Sequence, residues 1–260
     1  MGKKKRNNTA DATSVRDGGT GTHGFADAAA AVKSVSRDDR IKCFSMLGAA
    51  AVTLVLLFGS RLVWLMKPLF DRVFGGLVSE TFYYLIILVV FVAYMIGLGF
   101  FVRRFCGVRL YKIKRPPLEL PRALGMIAVC AVAVFVTSAA FKFKLKIEYE
   151  LEQGSTGTNM LVNAAIYFYY ALHLLLAFVS TELVQRALST LIPAKYTVPW
   201  GAIFLVTVYG LIEFLFEYYT TGHRFAHIYY LFTYVYAAIY VISRRGFHAS
   251  YWASVIVMVL

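Results

Sequence analysis

Acidic side chains are scarce in this chain: 14 Asp and Glu stand against 27 Lys and Arg in 260 residues. The four charged types together make up only 16% of the sequence. A soluble domain carries about 25%, so the shortfall excludes an ordinary water-soluble globule. Cysteine is sparse as well. Cys43, Cys106 and Cys130 are odd in number and far apart, which excludes a disulfide framework and a CxxC metal pair. A Walker loop, a glycine-rich dinucleotide turn, a GxSxG elbow and an HExxH helix are all missing. Nothing therefore points to the phosphate, hydride, serine-hydrolase or zinc-protease chemistry those motifs carry, and no cofactor is implied.

What is plentiful is apolar. Hydrophobic residues make up 59% of the chain and its mean hydropathy is +0.64, which together imply an all-α integral membrane protein. Residues 1–41 differ: they open with MGKKKR, are rich in Gly, Ala, Ser, Thr and Asp, and show no hydrophobic periodicity. They read as a disordered basic cytoplasmic tail attracted to anionic headgroups. A signal peptide is not expected, because the first apolar run begins near residue 43. Arg6 breaks the myristoylation pattern.

Residues 42–260 form the polytopic part. Six runs approach the roughly 20 residues needed to cross hydrocarbon: 43–66, 81–102, 120–141, 159–181, 198–216 and 225–243. The closing stretch FHASYWASVIVMVL is a shorter seventh candidate, giving a bundle of six to seven transmembrane helices. The net charge of +13 invites a nucleic-acid reading, but the basic residues flank apolar spans, so topology explains them better. RRFCGVRLYKIKRPP, 103–117, has six basic residues and no acid, whereas 142–152 balances three Lys against three Glu. Both place the N-terminus in the cytoplasm. The expected partner is membrane lipid, not nucleic acid. FKFKLKIEYELE, 141–152, alternates with period two, which fits either a lone strand or a helix extended into the interface.

STELVQRAL, 180–188, places Glu182 and Arg186 at the end of the fourth apolar run. Four apart on a helix, in Glu-before-Arg order, they suit an ion pair, either an interfacial cap or part of a site. VTVYGLIEFLFE embeds Glu213 among aliphatic and aromatic residues in the next run, where an isolated carboxylate is protonated or partnered. Glu182 lies about ten residues before the LIPAKYTVPW turn and Glu213 about fourteen after it. At about 1.5 Å per residue their depths differ by about 6 Å, so the two glutamates are expected to face each other.

From about residue 170 to 260 the chain resembles the CPBP family, the membrane-embedded CAAX-processing and bacteriocin-processing endopeptidases. The Glu-Glu-x-x-x-Arg motif of that family corresponds to Thr181-Glu182-Leu183-Val184-Gln185-Arg186. The Phe-x-x-x-His motif corresponds to Tyr209-Gly210-Leu211-Ile212-Glu213, after a similar Pro199-Trp200 opening. The final His falls on Met258, and the Asn four residues later lies beyond Leu260. The resemblance implies a glutamate-dependent endopeptidase of membrane or lipidated peptides in a bacterial cell membrane, with Glu182, Arg186 and Glu213 as catalytic residues and Thr181, Tyr209 and His248 in support. Thr181 replaces the general base, and Glu213 and Met258 replace the two histidines. These departures favour a member that binds a peptide, or a membrane signalling partner such as a sensor kinase, without cutting.

Other residues fit plainer readings. His248 is either a headgroup-level histidine or a stand-in for a missing one. His223 and His227, one helical turn apart, suit a metal but have no obvious third ligand beyond Glu217, so interfacial histidines are preferred and no metal is expected. His173 in YYALHLLL is expected to be a core histidine bonded to a neighbouring span. Two further function classes stay open: a transporter or transporter subunit using intramembrane carboxylates, and a structural assembly protein in which Glu182 pairs only with Arg186.

Overall fold

The structure is a computed structural model. It describes residues 35–64, 67–74, 76–108, 119–140, 143, 160–192, 198–220, 223–243 and 246–260. Among these no strand occurs. The basic tail to residue 34 and all of the 141–152 stretch except Phe143 lie outside the described residues.

Helix α1 (Arg37–Trp64) begins six residues before the first apolar run. Ser36 explains the early start. Its Oγ accepts a hydrogen bond from the Asp39 N–H at 3.1 Å and donates to Asp39 Oδ2 at 2.8 Å, an N-cap with an acidic partner in the first turn. After the short α2 (Lys67–Phe74) come α3 (Gly76–Cys106), α4 (Leu120–Ala140) and the 32-residue α5 (Met160–Leu191). The fifth apolar run is interrupted: α6 (Trp200–Phe204) passes through a π-helical turn (Leu205–Tyr209) into α7 (Gly210–Thr220). Helices α8 (His223–Ile242) and α9 (Phe247–Val259) complete the chain.

Five segments are long and apolar enough to cross a membrane: Arg37–Ser60, Phe82–Cys106, Leu120–Ala139, Ala164–Leu191 and Trp200–Tyr219. The remaining two expected spans are shorter apolar stretches, Ala226–Ile242 and Phe247–Val259. The sixth lies within α8, whose 20 residues span about 30 Å at 1.5 Å per residue, the thickness of the hydrocarbon.

The spans bury unequal shares of their apolar windows: 56% for α5 against 17% for α4. Helix α5 is therefore the central post. Helix α1 packs along it, α3, α6 and α9 pack around it, and α8 lies against α7 and the π-helical turn. Helix α4 sits at the periphery, against α8 and α9. Polar side chains join neighbouring helices at several points. Thr53 on α1 bonds Tyr94 on α3 at 2.8 Å, and the Tyr83 hydroxyl on α3 donates to the Ser60 carbonyl on α1 at 2.8 Å. In lipid such bonds lock register rather than drive association, which rests on packing.

Two glycines allow close helix approach. A Cβ on Gly201 would lie 2.9 Å from the Thr181 carbonyl oxygen and 3.0 Å from the Tyr240 ring. One on Gly210 would lie 2.6 Å from the Thr233 hydroxyl. The first fixes where α6 meets α5, and this sets the geometry of everything downstream.

Candidate functional site

Two separate clusters of ionisable residues lie along α5. The first is at STELVQRAL. Arg186 Nε donates to Glu182 Oε1 at 2.6 Å, and the Tyr240 hydroxyl on α8 donates to Glu182 Oε2 at 2.9 Å. Glu182 is buried and Arg186 reaches outward, 30% exposed at its side chain. The i,i+4 spacing makes this pair, and burial of the carboxylate is tolerable because both oxygens accept charge-assisted or phenolic hydrogen bonds.

Its neighbours are structural in what they touch. Gln185 Oε1 accepts the Gly201 backbone N–H at 2.9 Å, and its Nε2 donates to Ser189 at 2.9 Å. The side chain thus satisfies an open N–H at the start of α6. The fully buried Thr181 donates its hydroxyl to the Ala177 carbonyl at 2.8 Å within its own helix.

The second cluster centres on His173 and Glu213. His173 Nε2 and Glu213 Oε1 lie 2.9 Å apart, with side chains 5% and 4% exposed. The two residues are forty apart in sequence and belong to α5 and α7. His173 is thus the core histidine bonded to a neighbouring span. Aromatic rings enclose it: Tyr169 at 5.7 Å, Tyr209 at 6.2 Å and Phe91 at 6.4 Å between centroids. On the α8 side a partly open cavity of ≈ 60 Å³ is lined by His173, Glu213, Tyr170, Tyr209, Tyr229 and Tyr236, together with apolar residues that include Met258 from α9.

The two glutamates do not face each other. Glu213 meets α5 at His173, nine residues and about 13 Å of helix from Glu182. Phe178 stands between the clusters, 6.4 Å from both Tyr236 and Tyr240. Equal depth would require both helices to start from the same level at the turn, and they do not. Helix α5 runs on to Leu191, but α6 docks against Thr181 and Gln185, about two turns lower. Every residue of α6 and α7 is displaced accordingly.

Comparison with protein-family models, curated protein sequences and solved structures finds no match to this chain. The geometry itself is what bears on chemistry. Glu213 and Met258, at the second and third motif positions, line one cavity, whereas Thr181 and Glu182, at the first, lie elsewhere on α5. Water activation for peptide cleavage needs a base and oxyanion donors around one point, and these three positions do not surround one. His248 sits in the first turn of α9, its ring 5.5 Å from that of Phe247, and does not line the cavity. His227 is exposed, 5.3 Å from the Phe214 ring. Among the described residues no three His, Cys, Asp or Glu side chains are grouped to hold a metal ion.

Two features of the site were not expected from the sequence. Glu217, considered there only as a third ligand beside His223 and His227, is one turn beyond Glu213 and is also buried. The π-helical turn carries Tyr209 to the cavity and precedes Glu213. A four-residue spacing of acids in an apolar run was visible for the first, and nothing in the residues announces the second.

Proposed function

We propose that this protein is a multi-pass membrane protein that binds a hydrophobic or lipidated peptide, or the membrane segment of a signalling partner, without cutting it. In this reading it is a divergent relative of the CPBP endopeptidases, with six to seven spans and its N-terminus in the cytoplasm of a bacterial cell. The observation that carries the reading is the separation of the motif positions along α5. Glu182 is engaged by Arg186 and Tyr240, while Glu213 lines a cavity with His173 about 13 Å away along α5. A buried polar pair beside a partly open cavity supports a binding role more readily than peptide cleavage.

The test compares membrane-peptide products in cells lacking the protein and in cells carrying wild type, Glu182→Gln or Glu213→Gln at equal levels. The expected result is an unchanged set of products, with the deletion phenotype restored by wild type and not by Glu213→Gln. A peptide that appears with wild type and vanishes with both variants would overturn the reading and establish a protease.

One observation favours a transporter as the second reading. A buried carboxylate–imidazole pair at span depth is suited to passing protons. A pH-dependent flux in proteoliposomes that Glu213→Gln abolishes would select it. The purely structural reading is weakened by Glu213, which is buried against His173 rather than turned to lipid.

A further inference from the structure

Helix α4 has the least buried apolar window of the five long spans, 17%, and it does not close against α8 along its whole length. The two helices touch at one end, where a Cβ on Gly125 would lie 3.6 Å from Ile242 Cγ2. Beyond that contact, from Ala128 to Thr137 on α4 and from Ile228 to Val235 on α8, they leave a groove of ≈ 350 Å³. Ala133 and Phe232 are buried at its floor, while Val132 and Leu231, 63% and 47% exposed, stand at its open side.

The lining excludes most occupants. Its one polar side chain, Thr137, turns its hydroxyl to the Ala133 and Val134 carbonyls of its own helix, at 2.9 and 3.0 Å. Water would find too few partners there. An extended peptide would leave its backbone N–H and C=O groups unsatisfied. A helix is too bulky: at a diameter of about 10 Å and a length of about 13 Å it occupies roughly 1000 Å³, well above the volume of the groove. An empty groove would forfeit dispersion contacts along both walls. A hydrocarbon chain meets every condition. The rise from Ala128 to Thr137 is about 13 Å, close to the roughly 15 Å depth of one leaflet. The groove follows the axes of two apolar bundle helices, the direction in which acyl chains lie.

We propose that this groove holds one acyl chain of a phospholipid from the leaflet at its Thr137 end, and that the retained chain fills the gap between the peripheral α4 and α8. Phe232 lines both the groove and the cavity beside His173, so the chain backs a ring that stands between lipid and the polar pair. The inference goes beyond the binding reading and does not rest on it.

The test is native mass spectrometry of the full chain, purified from cell membranes in a mild detergent, with the retained phospholipid counted. The wild type is expected to keep one phospholipid per protein. Ala133→Phe places a ring at the floor of the groove and is expected to lower the ratio of lipid-bound to lipid-free protein at least about 10-fold, because displacing about two buried methylenes suffices for that. Ala93→Phe adds the same ring at an exposed position of α3 and is expected to leave the ratio unchanged. If Ala133→Phe does not fold, Ala128→Phe, at an exposed position lining the groove, carries the comparison. Absence of retained phospholipid in the wild type, or equal retention in a folded groove-filling variant, would overturn the proposal. A second copy of the chain or a lipid-linked peptide bound in place of the phospholipid, and lost with the groove-filling variant, would overturn it as well and would name the true occupant.

Discussion

Glu182 illustrates how one residue's role changes with the level at which it is read. By type and depth it looked like a site residue, since carboxylates at span depth usually are. Its partners give it a narrower task, because Arg186 and Tyr240 occupy both oxygens. Removing Arg186 leaves a buried charge with one phenolic partner. Arg186→Ala is therefore expected to destabilise the protein by about 1–3 kcal/mol, below the extreme for a fully buried pair because the guanidinium is partly exposed. Glu182→Gln keeps an acceptor for Tyr240 and leaves an arginine that reaches the surface, so its effect is expected to be smaller. Thermal unfolding in nanodiscs measures both. A larger loss for Glu182→Gln than for Arg186→Ala would contradict the assignment of Glu182 as the dependent partner.

His173 and Glu213 show what residue-level reading can and cannot reach. Each was visible as a polar group that needed a partner in an apolar run. That they partner each other was not visible, because pairing depends on the offset between two helices. The offset is set by Gly201 against Thr181 and by Gln185 on the Gly201 N–H. A missing side chain and an amide hydrogen bond leave no trace in hydropathy.

At the scale of the element, the apolar runs were legible because lipid imposes their length, and α1, α3, α4 and α5 appear where expected. Helix ends were less so. Helix α5 runs ten residues beyond the end of the apolar run at 181, and Glu182 and Arg186 share one helix with that run. The π-helical turn Leu205–Tyr209 was invisible. Such a turn accommodates one residue more than a regular α-helix, which yields a sharp expectation. Deleting Val208, an exposed residue in that turn, lets the segment revert to α-helix with both flanks kept in place. Deleting Phe168, an exposed residue of α5, rotates one flank by about 100° against the other. Folded yield from membranes is expected to fall little for the first and severely for the second. Equal losses would show that the turn does not absorb the deletion.

At the scale of the molecule, the sequence conveyed an apolar helical bundle, and its charge distribution predicts an orientation. The basic loop after α3 and the N-terminal cluster both argue for the cytoplasmic side. A reporter fused at residue 1 and one inserted at residue 112 are thus expected to resist protease added from outside intact cells and to be cut after permeabilisation. Cleavage of either in intact cells would reverse the orientation. The arrangement of the bundle was beyond sequence reading. Which helix becomes the central post depends on side-chain complementarity summed over several helices, and α3 is at least as apolar as α5 without being the most buried.

The peripheral place of α4 has a consequence in time. Its packing partners α8 and α9 begin at His223 and Phe247, more than eighty residues after α4 ends at Ala140. At synthesis rates of about 5–20 residues per second, α4 waits in the bilayer for roughly 4–17 s before its neighbours emerge. Helices α1, α3 and α5 have by then been made and are free to assemble. During that interval α4 lacks α8 and α9, and its apolar stretch from Ala123 to Val136 is what lets it wait in lipid.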